Sequence, residues 1–253
     1  MSHTHGLTAT RSAMRTRPSR AASASRGGQR CPHRSRVGSL RDVNPRLLVM
    51  DVDSTLITGE VIEMLAAHAG SEALVTAITE RAMRGEIDFA ASLHERVATL
   101  AGLPTSVFAD VLAEAQLTPG ARELVAEVQG RGWAVGLVSG GFVEIVRPLA
   151  ASLGITLTRA NTLEVTEGRL TGRVTGAVVD RAAKAVALRE YAATAGVALE
   201  DTVAIGDGAN DLDMLAAAGY GIAFNAKPVV AEQADAVVND RLDAVLTLEP
   251  FTR

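Results

Sequence analysis

The chain has 253 residues, with 25 basic and 29 acidic side chains and a single cysteine, Cys31. That length buries a sizeable core in one or two domains. No apolar run reaches the length of a membrane span, one cysteine excludes an internal disulfide and fits a reducing, cytoplasmic compartment, and no Cys/His cluster has zinc spacing.

The charge is uneven along the chain. Residues 1–41 hold nine arginines and no acid, which leaves 16 basic against 29 acidic residues in the remainder. An acidic body argues against nucleic acid as its partner and for a small-molecule one. Residues 1–44 are rich in Arg, Ser, Ala and Gly, show no period, and read as a disordered tail. An overextended gene start, a transit peptide and an anion-binding arm are the readings open for it.

From residue 46 apolar, β-branched runs alternate with helical patterns. The strands are expected at 46–51, 133–139, 202–206, 220–224 and 236–238. They are short and apolar throughout, as parallel strands covered on both faces are. Residues 59–117 carry no strand signal. They read as helices at 60–69, 72–83, 88–101 and 105–116, with Asp88 as an N-cap and Gly102-Leu103-Pro104 as a stop. A helix starts at Pro119-Gly120 with Leu124, Val125 and Val128 on one face, and others span about 142–152 and 181–195, the last behind Asp180. A short helix starts near Ala209. Residues 161–174 alternate around Glu167-Gly168, a hairpin pattern. The expected fold is α/β: a Rossmann-like, doubly wound, mostly parallel sheet with an inserted helical cap and a small β-hairpin. Its core is 45–58 plus 118–253, and its cap is 59–117.

Ligands of such sheets bind beyond the carboxyl ends of the strands. There the chain places Asp51-Val52-Asp53, then Ser139-Gly140-Gly141, then Asp207 with Asn210 and Asp211. Lys184 falls in the first turn of the helix behind Asp180. Two carboxylates about 5 Å apart repel by roughly 3 kcal/mol at an effective dielectric of 20. A hard divalent cation relieves that repulsion, and Mg²⁺ suits a few carboxylates with phosphate. Asp51 is then ionised and nucleophilic, and Asp53 is free to carry a proton. Gly140 and Gly141 let backbone N–H groups approach an anion ahead of a helix N-terminus. Taken singly, Asp-x-Asp is a turn, Gly-Gly a tight bend and a lysine solvated. Their joint occurrence in this order, in a chain with only two lysines, points to phosphoryl transfer.

DVDST at 51–55, VSGGF at 138–142, Lys184 and GDGANDLDM at 206–214 resemble the haloacid dehalogenase-like phosphatases. Within them, GE at 59–60, the helical insertion and SGGF resemble the phosphoserine phosphatase branch. The likeness runs over about 46–247. It implies an aspartyl-phosphate on Asp51, with Asp53 protonating the leaving serine oxygen and then activating water. Ser139, Gly140 and Lys184 would hold the phosphoryl group. Mg²⁺ would sit on Asp51, Asp207 and the carbonyl of Asp53, with Asp211 supporting the metal's waters and Asn210 the substrate side. Glu60 and Arg96 would take the ammonium and carboxylate of O-phospho-L-serine, between apolar walls from Met83 and Phe89. The implied reaction is the last step of serine biosynthesis, by a monomer or homodimer. Read from the residues alone, Glu60 is equally an acid in a helix first turn, Arg96 an exposed helix residue, and Met83 and Phe89 core. The alternatives are a phosphatase or phosphotransferase for another small ester, a phospho-accepting receiver domain, and an anion-binding module acting through the tail.

Overall fold

The computed structural model describes residues 46–252. The expectations for residues 1–44, and Cys31 with them, fall outside the described residues. Seven strands form one sheet: β1 (Leu47–Met50), β2 (Ala134–Phe142), β3 (Leu157–Thr166), β4 (Arg169–Thr175), β5 (Thr202–Gly206), β6 (Tyr220–Phe224) and β7 (Ala236–Val238). Their order is β4-β3-β2-β1-β5-β6-β7, and every neighbouring pair is parallel except β3–β4. Eight helices matter here: α1 (Val61–Ala69), α2 (Glu72–Met83), α3 (Phe89–Ala98), α4 (Val107–Glu114), α5 (Ala121–Gly130), α6 (Val143–Ser152), α7 (Arg181–Ala195) and α8 (Leu212–Ala217).

The uniform apolarity of β1 has a direct cause, since the strand is buried on both sides. Leu48 and Met50 join the core with α5 and α6, while Leu47 and Val49 join the core with α7 and α8. Each such side chain, fully buried, contributes about 1.5–3 kcal/mol of transfer free energy. Asp88 and Asp180 cap α3 and α7 as their sequence positions lead one to expect, accepting from Ala91 N–H at 2.7 Å and Ala183 N–H at 2.8 Å.

Residues 59–117 carry α1–α4, joined by turns and loops, and no named strand. The segment leaves and re-enters the sheet region through a paired neck, with Thr58 N–H on the Gln116 carbonyl and Thr118 N–H on that of Leu56. Val75, Leu93 and Val97 of this insertion belong to the same continuous apolar cluster as β1 and α5.

The expected hairpin is found as β3 and β4 around Glu167-Gly168, and it is continuous with the sheet: β3 first pairs in parallel with β2 (Gly136 opposite Leu157) and only its second half pairs with β4. The run Leu157-Thr158-Arg159-Ala160 has no alternation to mark it as a strand, and its placement comes from β2 beside it. The hairpin then braces the insertion, with Gly102 N–H on the Leu170 carbonyl at 2.8 Å and Thr105 N–H on the Gly168 carbonyl at 2.9 Å. Gly172 permits this contact. Its φ is +80° and a Cβ there would lie 3.0 Å from the Ala101 Cβ. One expectation needs correction: the strand expected at 133–139 does not end at Ser139. The strand continues to Phe142, with a shift of register against β3 between Val138 and Phe142. The glycines form an irregularity inside a strand that resumes pairing at Phe142 opposite Asn161.

Candidate active site

Asp51 stands one residue beyond β1, held by its N–H on the Ile205 carbonyl at 3.0 Å. Its Oδ1 accepts from Val52 N–H at 2.7 Å, and its Oδ2 lies 2.8 Å from Lys184 Nζ. Lys184 is fully buried and also pairs with Asp211 Oδ1 at 2.7 Å. The other Asp211 oxygen accepts from Gly208 N–H at 3.0 Å, and Thr55 donates to Asp207 Oδ1 at 3.2 Å. One carboxylate oxygen from each of Asp51, Asp207 and Asp211 lies within 4.8 Å of the others.

One ammonium therefore faces three carboxylates. Burial, then Asp211, raises Asp51 well above the ordinary carboxylate range despite Lys184. Burial, then Asp211, lifts Asp207 to about 6. Burial alone would lower Lys184, but Asp211 and Asp51 outweigh it and hold it above the usual lysine value. The donor set is all hard oxygen with excess negative charge, which fits a divalent cation such as Mg²⁺.

Asp53 is arranged differently. Residues 52–56 form a wide turn closed by Ile57 N–H on the Val52 carbonyl, with Ser54 at φ 57°. This turn sends Asp53 towards the insertion. Its Oδ1 accepts from Val61 N–H at 2.8 Å at the start of α1, and its Oδ2 from Ser139 Oγ at 2.9 Å. Burial raises its pKa against those two donors. Gly141 is required here, since a Cβ would meet Asp53 Oδ2 at 2.7 Å.

A cleft of about 490 Å³, open solvent at its mouth included, lies between this floor and the insertion. Asp51, Asp53, Gly140, Gly141, Asp207 and Asn210 line it from the sheet, and Glu60, Ile62, Phe89, Leu93 and Arg96 from above. Burial, then Asp53, pushes Glu60 up to about 7 against a 3.0 Å bond from Ser54 Oγ. Arg96 Nε donates to the Ser92 carbonyl at 3.3 Å, and burial lowers the guanidinium's pKa against the pull of Glu60 and Asp53.

The structure thus brings Asp51, Asp53, Glu60, Phe89, Arg96, Gly140, Asp207 and Asn210 to one cleft. Ser139 and Lys184 lie beneath its floor, fully buried and engaged with Asp53, Asp51 and Asp211. Asp211 is also below the surface. Met83 is not brought in. It is the last residue of α2, 68% exposed, where the helix runs out into Arg84 and Gly85. Sequence reasoning missed Ile62 and Leu93, which carry only a core-like signal. It also gave no role to Ser54 and Thr55, although both stand inside the DVDST run.

An acidic strand-end cluster with one buried lysine, under a helical roof on a Rossmann-like sheet, defines a class: α/β proteins with a ligand site beyond the carboxyl ends of their strands. The model of the haloacid dehalogenase-like hydrolases matches residues 48–216, and the chain belongs to that family. It is 61% identical over 209 residues to a Streptomyces coelicolor protein named phosphoserine phosphatase, covering 82% of this chain and 51% of that one. A Streptococcus thermophilus protein of the same name is 55% identical, with 74% of this chain and 87% of that one covered. The chain thus spans about half the length of the Streptomyces relative and most of the streptococcal one. A solved phospho-aspartyl intermediate analogue of phosphoserine phosphatase superposes with a TM-score of 0.76 at 41% identity, covering 80% of this chain and 98% of that one.

Proposed function

We propose that the protein is a Mg²⁺-dependent phosphomonoesterase that hydrolyses O-phospho-L-serine to L-serine and phosphate, the last step of serine biosynthesis. One observation carries the reading: Asp51 lies against Lys184 in the floor of a cleft whose roof presents Glu60 and Arg96 together. A phosphate monoester needs the first pair, and an α-amino acid attached to it needs the second.

The Asp51 carboxylate attacks phosphorus, forming an acyl-phosphate as the ester P–O bond breaks. Lys184 keeps Asp51 oriented and offsets part of the charge gathered there. Asp53, with its raised pKa, gives its proton to the departing serine oxygen. It then takes a proton from water as water attacks the acyl-phosphate, releasing phosphate and restoring Asp51. The Gly140-Gly141 backbone lines the side of the cleft where phosphoryl oxygens would gather, with Ser139 beneath it. Bound to Asp51, Asp207 and Asp211, Mg²⁺ would neutralise charge that one lysine leaves uncompensated. Arg96 receives the substrate carboxylate and Glu60 its ammonium, with Ile62, Phe89 and Leu93 around the short side chain. A bound ammonium favours ionised Glu60, which burial alone disfavours.

The test is phosphate release from a panel of phosphomonoesters, with Mg²⁺ and with chelator. The expected result is turnover of phosphoserine well above glycerol phosphate or sugar phosphates, abolished by chelation. Turnover that survives chelation, or that favours a sugar phosphate, overturns the proposal.

A further inference from the structure

Asn161 is a polar side chain on β3, the second strand from one edge of the sheet, 2% exposed and not among the residues lining the cleft. Both ends of its amide are engaged with backbone. Nδ2 donates to the Gly140 carbonyl at 2.7 Å, and Oδ1 accepts from Val179 N–H at 2.8 Å. The opposite amide orientation would set acceptor against acceptor and donor against donor, so the network fixes it.

The Gly140 carbonyl belongs to the Gly140–Gly141 peptide, whose N–H donates to Ser139 Oγ at 2.7 Å. Ser139 Oγ in turn donates to Asp53 Oδ2 at 2.9 Å. Asn161 thus holds one end of a peptide plane whose other end decides where the Ser139 proton points. With its oxygen already accepting from Gly141, the Ser139 hydroxyl presents its proton to Asp53. Glycines on both sides leave that peptide free to rotate, so the strand does not fix it by itself. The second amide bond reaches Val179, one residue before the Asp180 cap of α7 that carries Lys184.

We propose that Asn161 is a positioning residue that sets the Gly140–Gly141 peptide, and through it the Ser139 hydroxyl, against Asp53. This rests on the phosphatase reading for its effect on turnover, but not for the geometry. Asn161→Asp keeps the shape and the acceptor for Val179, and puts an oxygen against the Gly140 carbonyl. Asn161→Ala removes both bonds.

Two readouts test it, each with thermal melts to show that the variants are folded. The first is hydrogen exchange at the Gly141 amide by NMR, which is independent of any substrate. In Asn161→Asp it is expected to quicken at least tenfold relative to neighbouring sheet amides. The second is kcat for phosphoserine in a double-mutant cycle with Ser139→Ala. Asn161→Asp is expected to lower kcat by about 10- to 100-fold in the wild-type background. Its effect shrinks to less than about threefold once Ser139 is alanine, because the group it acts through is gone. A merely structural residue costs the same factor in both backgrounds. Unchanged Gly141 exchange, or equal factors in the cycle, overturns the proposal. Quickened exchange in a protein inert towards phosphoserine supports the positioning and sinks the substrate assignment instead. Should Asn161→Ala be melted at the assay temperature, Asn161→Asp carries both readouts.

Discussion

Replacing Asp51 by Asn should abolish turnover while leaving the metal-free protein as stable as before, or slightly more so. The carboxylate gains attraction from Lys184 at 2.8 Å and suffers repulsion from Asp207 and Asp211, whose nearest arrangement is within 4.8 Å. At an effective dielectric of 20, the attraction is about 6 kcal/mol and the two repulsions together about 7 kcal/mol. Asp53 adds further repulsion, and burial penalises the charged form as well. Removing the charge therefore changes stability by about 1 kcal/mol in the favourable direction, a rise of about 2–4 °C in Tm for a chain of this size. Mg²⁺ should invert the order. Wild type gains about 2.7 kcal/mol at a hundred times Kd, and the variant, short of one of three carboxylates, gains less. The assay is thermal melting of both proteins in chelator and in Mg²⁺, alongside phosphate release. A fall of more than about 5 °C for Asp51→Asn in chelator would mean that the lysine pair dominates, and the charge-excess argument would fail.

In chelator, stability should also fall as pH rises. Burial lifts Asp207 to about 6 and Glu60 to about 7, so the folded chain keeps protons that the unfolded chain releases in the ordinary carboxylate range. The folded state then binds more protons from about pH 4 to pH 7, stability declines across that window, and it levels above it. Melts from pH 5 to 8 check this, and Glu60→Gln should flatten the upper half of the decline. Arg96→Ala should raise KM for phosphoserine by about 10- to 100-fold, the loss of a charge-assisted hydrogen bond, with little change for p-nitrophenyl phosphate. Equal effects on both esters would remove Arg96 from carboxylate recognition. Gly172→Ala should cost about 1–3 kcal/mol in denaturant melts, because φ is +80° and the new Cβ would press on Ala98 and Ala101. A neutral result would show that the hairpin's contact with α3 yields easily.

What was readable in the sequence follows from how local each signal is. The strand runs at 46–51 and 202–206 carry their own burial on both faces, and they are found as β1 and β5 side by side. The aspartates that follow them meet for that reason alone: adjacent parallel strands in register end together. Helix ends were equally legible where a cap wrote them, as Asp88 and Asp180 do. What could not be read is what depends on a partner distant in sequence. The first half of β3 is a strand because β2 pairs with it, and the glycines after Ser139 stay in strand because pairing resumes at Phe142. The family resemblance implies that Met83 is a wall of the cleft, but the end of α2 leaves it exposed. Asn161 shows the limit most clearly. In a strand read as half of a hairpin, a single Asn carries no more signal than a turn residue. Its meaning lies in two backbone groups, at Gly140 and Val179, that come together only once the strands are laid side by side. A buried amide with both ends satisfied by backbone of two different segments is costly to place wrongly, since either mispairing strands a polar group without water. The same energetic penalty that hides such a residue from sequence reasoning makes it an effective clamp in the folded chain.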